Sequence, residues 1–313
     1  MTYRSLLEEG TGRLRKAGVP DPAVDAWYLM EASFGINRTG YLAGMNEEAP
    51  ADLLERWQEM LSLRERRIPL QHILGEQEFM GYSFLVNDQV LIPRPETELL
   101  AEKTIETAKQ LMRGRASGPD RRNAEGRMEE SRPGTLLRIL DLCTGSGCIA
   151  ISVDLALSEE FRSRGRVEIT GSDLFEGALK TARENARRLG SEVIFMKSDL
   201  FEAIEGTFDI IVSNPPYIPT SVIETLQEEV RRYDPGTALD GGEDGLDFYR
   251  RIACDAPAHL APDGVLLMEI GAGQARAVCA LLKEQNFVGI CTEQDLNRLD
   301  RIVSGKRYNY ENI

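Results

Sequence analysis

Asn214-Pro215-Pro216-Tyr217 places a planar amide, two stiff imino acids and a phenol directly after the apolar run Phe208-Asp209-Ile210-Ile211-Val212-Ser213. A turn of this kind at the end of a buried strand can hold a planar NH2 group. The Asn214 side-chain oxygen accepts one N–H, and a backbone carbonyl beside the prolines accepts the other. The prolines fix φ and carry no N–H, so the turn is stiff and its carbonyls stay available. The chemistry this suits is alkylation of an amide or an exocyclic amine. A rigid turn without chemistry would read the same on these four residues alone, so the rest of the chain has to decide.

A second group of residues could hold a cofactor. Leu136–Leu142 runs into Cys143-Thr144-Gly145-Ser146-Gly147-Cys148, the pattern of a strand, a Gly-rich turn and a helix. Gly145 and Gly147 let the backbone approach a ligand, and ligands sit at the carboxyl ends of such strands. By itself a Gly-x-Gly turn fits a dinucleotide or merely a tight bend. The next strand, Val167–Ser172, ends in Asp173, whose carboxylate can accept both hydroxyls of a ribose. A third ends in Lys197-Ser198-Asp199-Leu200. Asp199 can accept from an adenine amino group with Leu200 packed on the ring, or it can cap a helix. Asp141 is placed to attract the amino end of an amino-acid cofactor. No basic residue lies in the glycine loop to balance a pyrophosphate. The set therefore fits S-adenosylmethionine better than a nicotinamide dinucleotide.

These motifs need elements to carry them. Residues 1–75 show apolar side chains at helical spacings, broken at Gly18–Pro22, Gly35–Gly40 and Pro50, which predicts a small helical bundle. Residues 76–94 predict a β-hairpin turning at Asn87-Asp88 and linking two domains. A helix follows from Pro95 to about Met112. Residues 113–134 are nearly free of apolar side chains and predict a solvated, mobile insertion. From residue 135, strands near 136–142, 166–172, 192–197, 208–213, 265–270, 287–292 and 301–309 alternate with helices near 147–158, 176–189, 221–231, 246–260 and 272–285. Alternation of this kind predicts an α/β domain over 95–313 with a mostly parallel sheet covered on both faces.

Composition narrows the classes further. The net charge is -14 and the pI about 4.8, opposite to what phosphate-backbone binding favours. Five cysteines and two isolated histidines offer no metal-ligand spacing, so reduced thiols and no metal are expected. The first ten residues lack a signal-peptide core, and no apolar run nears the ~20 residues needed to cross a bilayer. A cytoplasmic, monomeric protein is expected.

The chain resembles the release factor-specific protein-(glutamine-N5) methyltransferases, the PrmC/HemK family. The resemblance is carried by Pro69–Gly75, Phe79 with Gly81, Leu91–Glu98, Asp141–Gly147, Asn214–Ile218, Tyr233-Asp234-Pro235, Gly241-Gly242 and Asp244–Leu246. Cys143 and Arg298 stand where glycine is common in that family. The resemblance implies a class I methyltransferase-like (Rossmann-like) seven-stranded sheet, a helical N-terminal bundle and a linking hairpin. It also implies S-adenosylmethionine as methyl donor, and class 1 peptide chain release factors as protein substrates. In that reading the Asn214 oxygen and the Pro215 carbonyl accept the two N–H groups of a glutamine amide. Pro216 and Tyr217 complete the substrate turn, and Tyr217 packs beside the reacting groups. A free glutamine side chain offers few contacts, so residues 1–75 are expected to dock the protein substrate. An adenine-N6 nucleic-acid methyltransferase would use the same turn on a flipped base. The acidic charge and the lack of a basic recognition domain weigh against it. A silent adenosylmethionine-binding adaptor would not need Asn214 and Pro215.

Overall fold

The computed structural model describes residues 1–116, 136–161 and 167–308. The chain clusters into two units. The first comprises Met1–Glu76, Val86–Asp88 and Thr225–Asp234; the second comprises Gln77–Leu85, Gln89–Glu224 and Pro235–Ile313. Among the described residues no helix is long and apolar enough to cross a membrane, and the five cysteines are free thiols.

The first unit is helical, with helices at Tyr3–Lys16, Pro22–Phe34, Arg38–Gly44, Leu54–Glu65 and Leu70–Leu74. The breaks read from the sequence have local causes. The Thr2 hydroxyl accepts the Ser5 N–H to start the first helix, and Gly35 at φ +64° ends the second. Leu6, Leu14, Met30, Trp57 and Leu61 form the core. Gly10 is required there, because a Cβ would lie 2.6 Å from the Trp57 ring.

A sixth helix of this unit, Glu228–Tyr233, comes from far along the sequence. Two arginines hold it. Arg64, only 4% exposed, donates to Asp25 Oδ2 at 2.6 Å and to Glu229 Oε1 at 2.9 Å. Arg67 donates to Glu229 Oε1 at 2.6 Å. Burial pushes the Asp25 pKa up despite Arg64, whereas the two guanidinium groups hold Glu229 below its usual range although burial opposes them. The sequence predicts one helix over 221–231. The structure has three short pieces, Thr220–Ile223, Glu228–Tyr233 and Gly236–Leu239. Asp234 takes an extended conformation ahead of Pro235, as the residue before a proline prefers, and this ends the second piece.

The second unit holds, apart from Glu76, a two-stranded ribbon, β1 (Glu76–Phe79) and β2 (Tyr82–Leu85), and a seven-stranded sheet. The sheet strands are β3 (Leu137–Leu142), β4 (Val167–Asp173), β5 (Ile194–Lys197), β6 (Phe208–Ser213), β7 (Leu260–Glu269), β8 (Val288–Gln294) and β9 (Asp300–Lys306). Their order is β5-β4-β3-β6-β7-β9-β8. All pairings are parallel except those of β9 with β7 and β8. The mostly parallel seven-stranded sheet read from the sequence is present. The helix from Pro95 continues to Ala116, past the boundary expected at Met112. The rest of the expected insertion, 117–134, lies outside the described residues.

The hairpin turn differs from the sequence expectation. It falls at Met80-Gly81, with φ +53° and +77°, and not at Asn87-Asp88. Two positive φ values suit a two-residue turn matched to the strand twist. Met in the first position hides that signal. The ribbon is tied to the sheet unit by Asn185, which is fully buried. Asn185 accepts the Leu85 N–H at 2.7 Å and donates to the carbonyls of Leu85 and Ser146 at 3.1 and 3.0 Å.

Cys143 and Arg298 both adopt left-handed backbone conformations, at φ +58° and +62°. That conformation strains a side chain with a Cβ and suits glycine, the residue that the family resemblance implies at both positions. Arg298 lies exposed in the turn between β8 and β9. Arg298→Gly is therefore expected to raise stability by up to ~1 kcal/mol, read as a higher urea midpoint. A lower midpoint would show that the arginine side chain contributes more than its backbone costs.

Candidate active site

Parallel register brings the sequence motifs to one edge. Leu142 pairs with both Ser172 and Ser213, and Asp173 pairs with Lys197. The loops beginning at Cys143, Leu174, Ser198 and Asn214 thus leave the sheet side by side. They surround a cleft whose empty space, open solvent included, is about 970 Å³.

Thr144, Gly145, Asp173, Asp199 and Leu200 line the cleft, and Asn214 and Pro216 line it from the β6 side. Asp141, Gly147, Pro215 and Tyr217 do not. Gly147 is a packing residue, at φ +81°, where a Cβ would meet Ile151 at 2.9 Å. Asp141 is fully buried beneath the loop, where it accepts the Thr144 hydroxyl at 2.6 Å. Its Oδ1 has no hydrogen-bond partner among the described residues. Burial pushes its pKa up to about 7, opposed by the Thr144 hydroxyl and the Ala150 N–H.

Asp173 does two jobs. Its Oδ2 accepts the Gly145 N–H at 3.0 Å, which shapes the glycine loop, and its Oδ1 accepts the Phe175 N–H at 3.0 Å. Each oxygen keeps a further lone pair for a ligand hydroxyl. Burial also raises the pKa of Asp173, and its charge raises that of Asp141. Two crowded carboxylates under one loop favour a cationic ligand over a pyrophosphate, which fits a sulfonium carrying an ammonium group. Asp199 receives an Arg251 N–H at 2.7 Å, and a turn, not a helix, follows it, so the helix-cap alternative fails.

The Asn214 turn is gripped from several sides. Ser213 donates to the Leu142 carbonyl at 2.9 Å, and Asn214 Nδ2 donates to Thr97 Oγ1 at 3.2 Å. Gln274 Nε2 donates to the carbonyls of Tyr217 and Gly245 at 3.0 and 3.1 Å. Gly241 approaches so closely that a Cβ would lie 2.8 Å from Tyr217 Cα. This close approach gives a physical reason for the Gly241-Gly242 motif. Burial, reinforced by the charge of Glu269, pushes the Tyr217 pKa up to about 12. Tyr217 is therefore a neutral phenol at neutral pH.

Sequence reasoning missed Arg94, which lines the cleft, and it missed Arg251, Thr97, Glu269 and Gln274 as supports. Thr97 lies within Ile92–Glu98, which was legible only as a family motif. Glu269 had a signal of its own: a carboxylate closing the apolar run Val265–Met268. Among the described residues no group of three or more His, Cys, Asp or Glu side chains is placed to hold a metal ion.

Asp173→Ala removes a ligand acceptor and leaves the Gly145 and Phe175 N–H groups without their partner. It is expected to weaken S-adenosylhomocysteine binding by roughly 1–3 kcal/mol. Unchanged affinity by calorimetry would remove Asp173 from the site.

The chain is similar to known proteins over nearly its whole length. Residues 5–75 match the PrmC N-terminal domain, and residues 128–229 match the methyltransferase small domain. The release factor glutamine methyltransferase of Geobacter sulfurreducens is 36% identical over 306 residues, covering 97% of this chain and 96% of that one. The release factor glutamine methyltransferase of Deinococcus radiodurans is 36% identical over 307 residues, covering 98% and 99%. Among solved structures, the hMettl16 catalytic domain in complex with MAT2A 3'UTR hairpin 1 superposes with a TM-score of 0.52 at 15% identity, over 90% of this chain and 91% of that one. That likeness is one of fold. Matched from end to end by relatives of one kind, the chain belongs to the release factor glutamine methyltransferase family.

Proposed function

We propose that the protein transfers the methyl group of S-adenosylmethionine to the side-chain amide nitrogen of the glutamine in the Gly-Gly-Gln motif of class 1 peptide chain release factors. One observation carries the chemistry. At the cleft wall, the Asn214 NH2 turns back onto Thr97, which leaves Oδ1 as the acceptor offered to a substrate.

A glutamine nitrogen is a poor nucleophile, because its lone pair is delocalised into the carbonyl. S-adenosylmethionine supplies a methyl group on a positively charged sulfur. Asp173 would accept from the ribose, and Asp199 and Leu200 would hold the adenine. Asp141 contributes its charge through the Thr144–Gly147 loop. The Asn214 oxygen at the cleft wall accepts one substrate N–H, and the Pro215 carbonyl, beside the cleft lining in the same turn, is the acceptor proposed for the other; together they fix the nitrogen toward the donor, so much of the rate comes from positioning. The same acceptors favour the nitrogen more as it becomes tetrahedral and positive. The acidified proton then leaves to water, and no dedicated base is required. Tyr217, pinned by Gln274, closes the apolar side of the turn.

Asn214→Ala is expected to lower kcat on a Gly-Gly-Gln substrate by at least ~100-fold while S-adenosylhomocysteine binds within a few-fold of wild type. Parallel loss of both would assign Asn214 to the cofactor.

We further propose that the helical unit docks the release factor. Tyr28 and Leu42 are 46% and 68% exposed on its helices. In the Tyr28→Glu/Leu42→Glu protein, KM for intact release factor should rise about tenfold or more, with the slow methylation of a short Gly-Gly-Gln peptide unchanged. A KM at the wild-type value would remove these two side chains from the interface.

A further inference from the structure

Pro215 and Pro216 carry no N–H, so at these two residues the substrate turn has no hydrogen to donate to a neighbouring strand. The ladder between β6 and β7 ends at Ser213 and Met268, just before the turn begins. Beyond the prolines the chain is gripped again at Tyr217 and Ile218. The Ile218 N–H donates to the Leu239 carbonyl at 2.9 Å, and the Tyr217 carbonyl accepts from Gln274 Nε2 at 3.0 Å. The same Nε2 donates to the Gly245 carbonyl at 3.1 Å, while Gln274 Oε1 accepts the Gly271 N–H at 2.9 Å. All three partners are backbone groups of fixed polarity, so they dictate which end of the carboxamide is which. Helix stability does not account for this side chain. Gln274 is the N-cap of the Ala275–Glu284 helix, where Ser, Thr, Asp and Asn are favoured, yet its side chain makes no capping hydrogen bond. Backbone closes on it instead. A Cβ on Gly245 would lie 2.8 Å from Gln274 Nε2, and one on Gly271 would lie 2.8 Å from Oε1.

We infer that Gln274 is a positioning residue for methyl transfer: its carboxamide clasps the loop after β7 and the Gly245 loop to the substrate turn, and so fixes where Asn214 and Pro215 hold the substrate nitrogen. The clasp needs two donors on one end and an acceptor on the other, and a primary carboxamide supplies both. Gln274 reaches the turn through the Tyr217 carbonyl and does not line the cleft, so it acts on the reaction without touching substrate or cofactor. A turn freed from the clasp would leave the cofactor loops as they are. It would hold the amide nitrogen off line with the sulfur–methyl bond, and a misplacement of about 1 Å can cost ~100-fold in rate. This inference rests on the proposed role of the Asn214 turn in holding the substrate amide.

The test compares full-length wild type, Gln274→Ser and Gln274→Glu in methylation of purified release factor, with S-adenosylhomocysteine affinity measured by calorimetry and amide exchange at Ile218 measured by mass spectrometry. Serine is a favoured helix cap but is too short to reach Tyr217, so it keeps any service to the helix and removes the clasp. Glutamate keeps the length and the acceptor for Gly271, and sets an oxygen against the two carbonyls. Both variants are expected to lower kcat about tenfold or more, with KM within about threefold and cofactor affinity within about twofold of wild type. Exchange at Ile218 is expected to quicken about fivefold or more in both. Wild-type kcat in either variant would overturn the inference, as would unchanged exchange at Ile218 or loss of cofactor affinity in step with kcat. If one variant fails to fold, the other decides by the same split; if neither folds, Gln274 serves the fold and the inference is wrong. A wild-type protein inactive on release factor would instead overturn the proposed function, and the exchange measurement would still decide whether Gln274 holds the turn.

Discussion

The parallel register of β3 to β6 is the constraint on which the rest of the site depends. Because Leu142 is level with Ser172 and Ser213, and Asp173 with Lys197, loops from four separate strands open at one height. A slip of one residue would turn every side chain in a strand to the other face and remove Asp173 or Asn214 from the cleft. The strands resist that slip because they are buried: every residue of β6 is buried, as are five of the six in β3. Side chains from both sheet faces fill two cores, and the edge between them is left for ligand chemistry.

Rigidity at that edge is built in layers. The sheet fixes where Asn214 starts, and Ser213 locks the strand end to Leu142. The glycines at 241 and 245 bring a second stretch of backbone against Tyr217, and Gln274 bonds both. Thr97 reaches Asn214 from a helix that precedes the sheet in sequence. An amide nitrogen reacts only if it is held, and holding it needs support from regions more than a hundred residues apart. The helical unit shows the same economy of long-range contacts. Glu229, over 160 residues from Arg64 and Arg67, is bonded to both.

Much of this was legible in the sequence. The alternation of apolar runs and helical spacings showed the parallel sheet, and Gly145, Asp173, Asp199, Leu200 and Asn214 do meet at one cleft. These residues are readable because each lies at a strand end or within three residues after one, and strand ends are visible as breaks in hydrophobic runs. Asp141 and Gly147 were readable as part of the glycine loop, but whether they line the cleft or support it depends on packing that spacing does not encode. The hairpin turn was misplaced because Met80-Gly81 has no favoured residue in its first position, while Asn87-Asp88 has the composition of a turn. The helix over 221–231 was misread because local polarity does not reveal that Glu229 is claimed by two distant arginines. Thr97, Gln274 and Arg251 act through partners far away in sequence, so no local pattern marks them. Cys143 and Arg298 show the reverse case. At both positions a residue other than the glycine that the resemblance implies sits on a left-handed backbone.

The central claim is that the turn at Asn214 presents a glutamine amide nitrogen to the methyl donor. The most direct measurement is to incubate the protein with deuterated-methyl S-adenosylmethionine, purified release factor and, in parallel, duplex DNA, and to locate the label by tandem mass spectrometry. The account predicts one labelled methyl on the side-chain nitrogen of the Gly-Gly-Gln glutamine and none on DNA. Label on adenine, or on a release factor residue other than that glutamine, would contradict it.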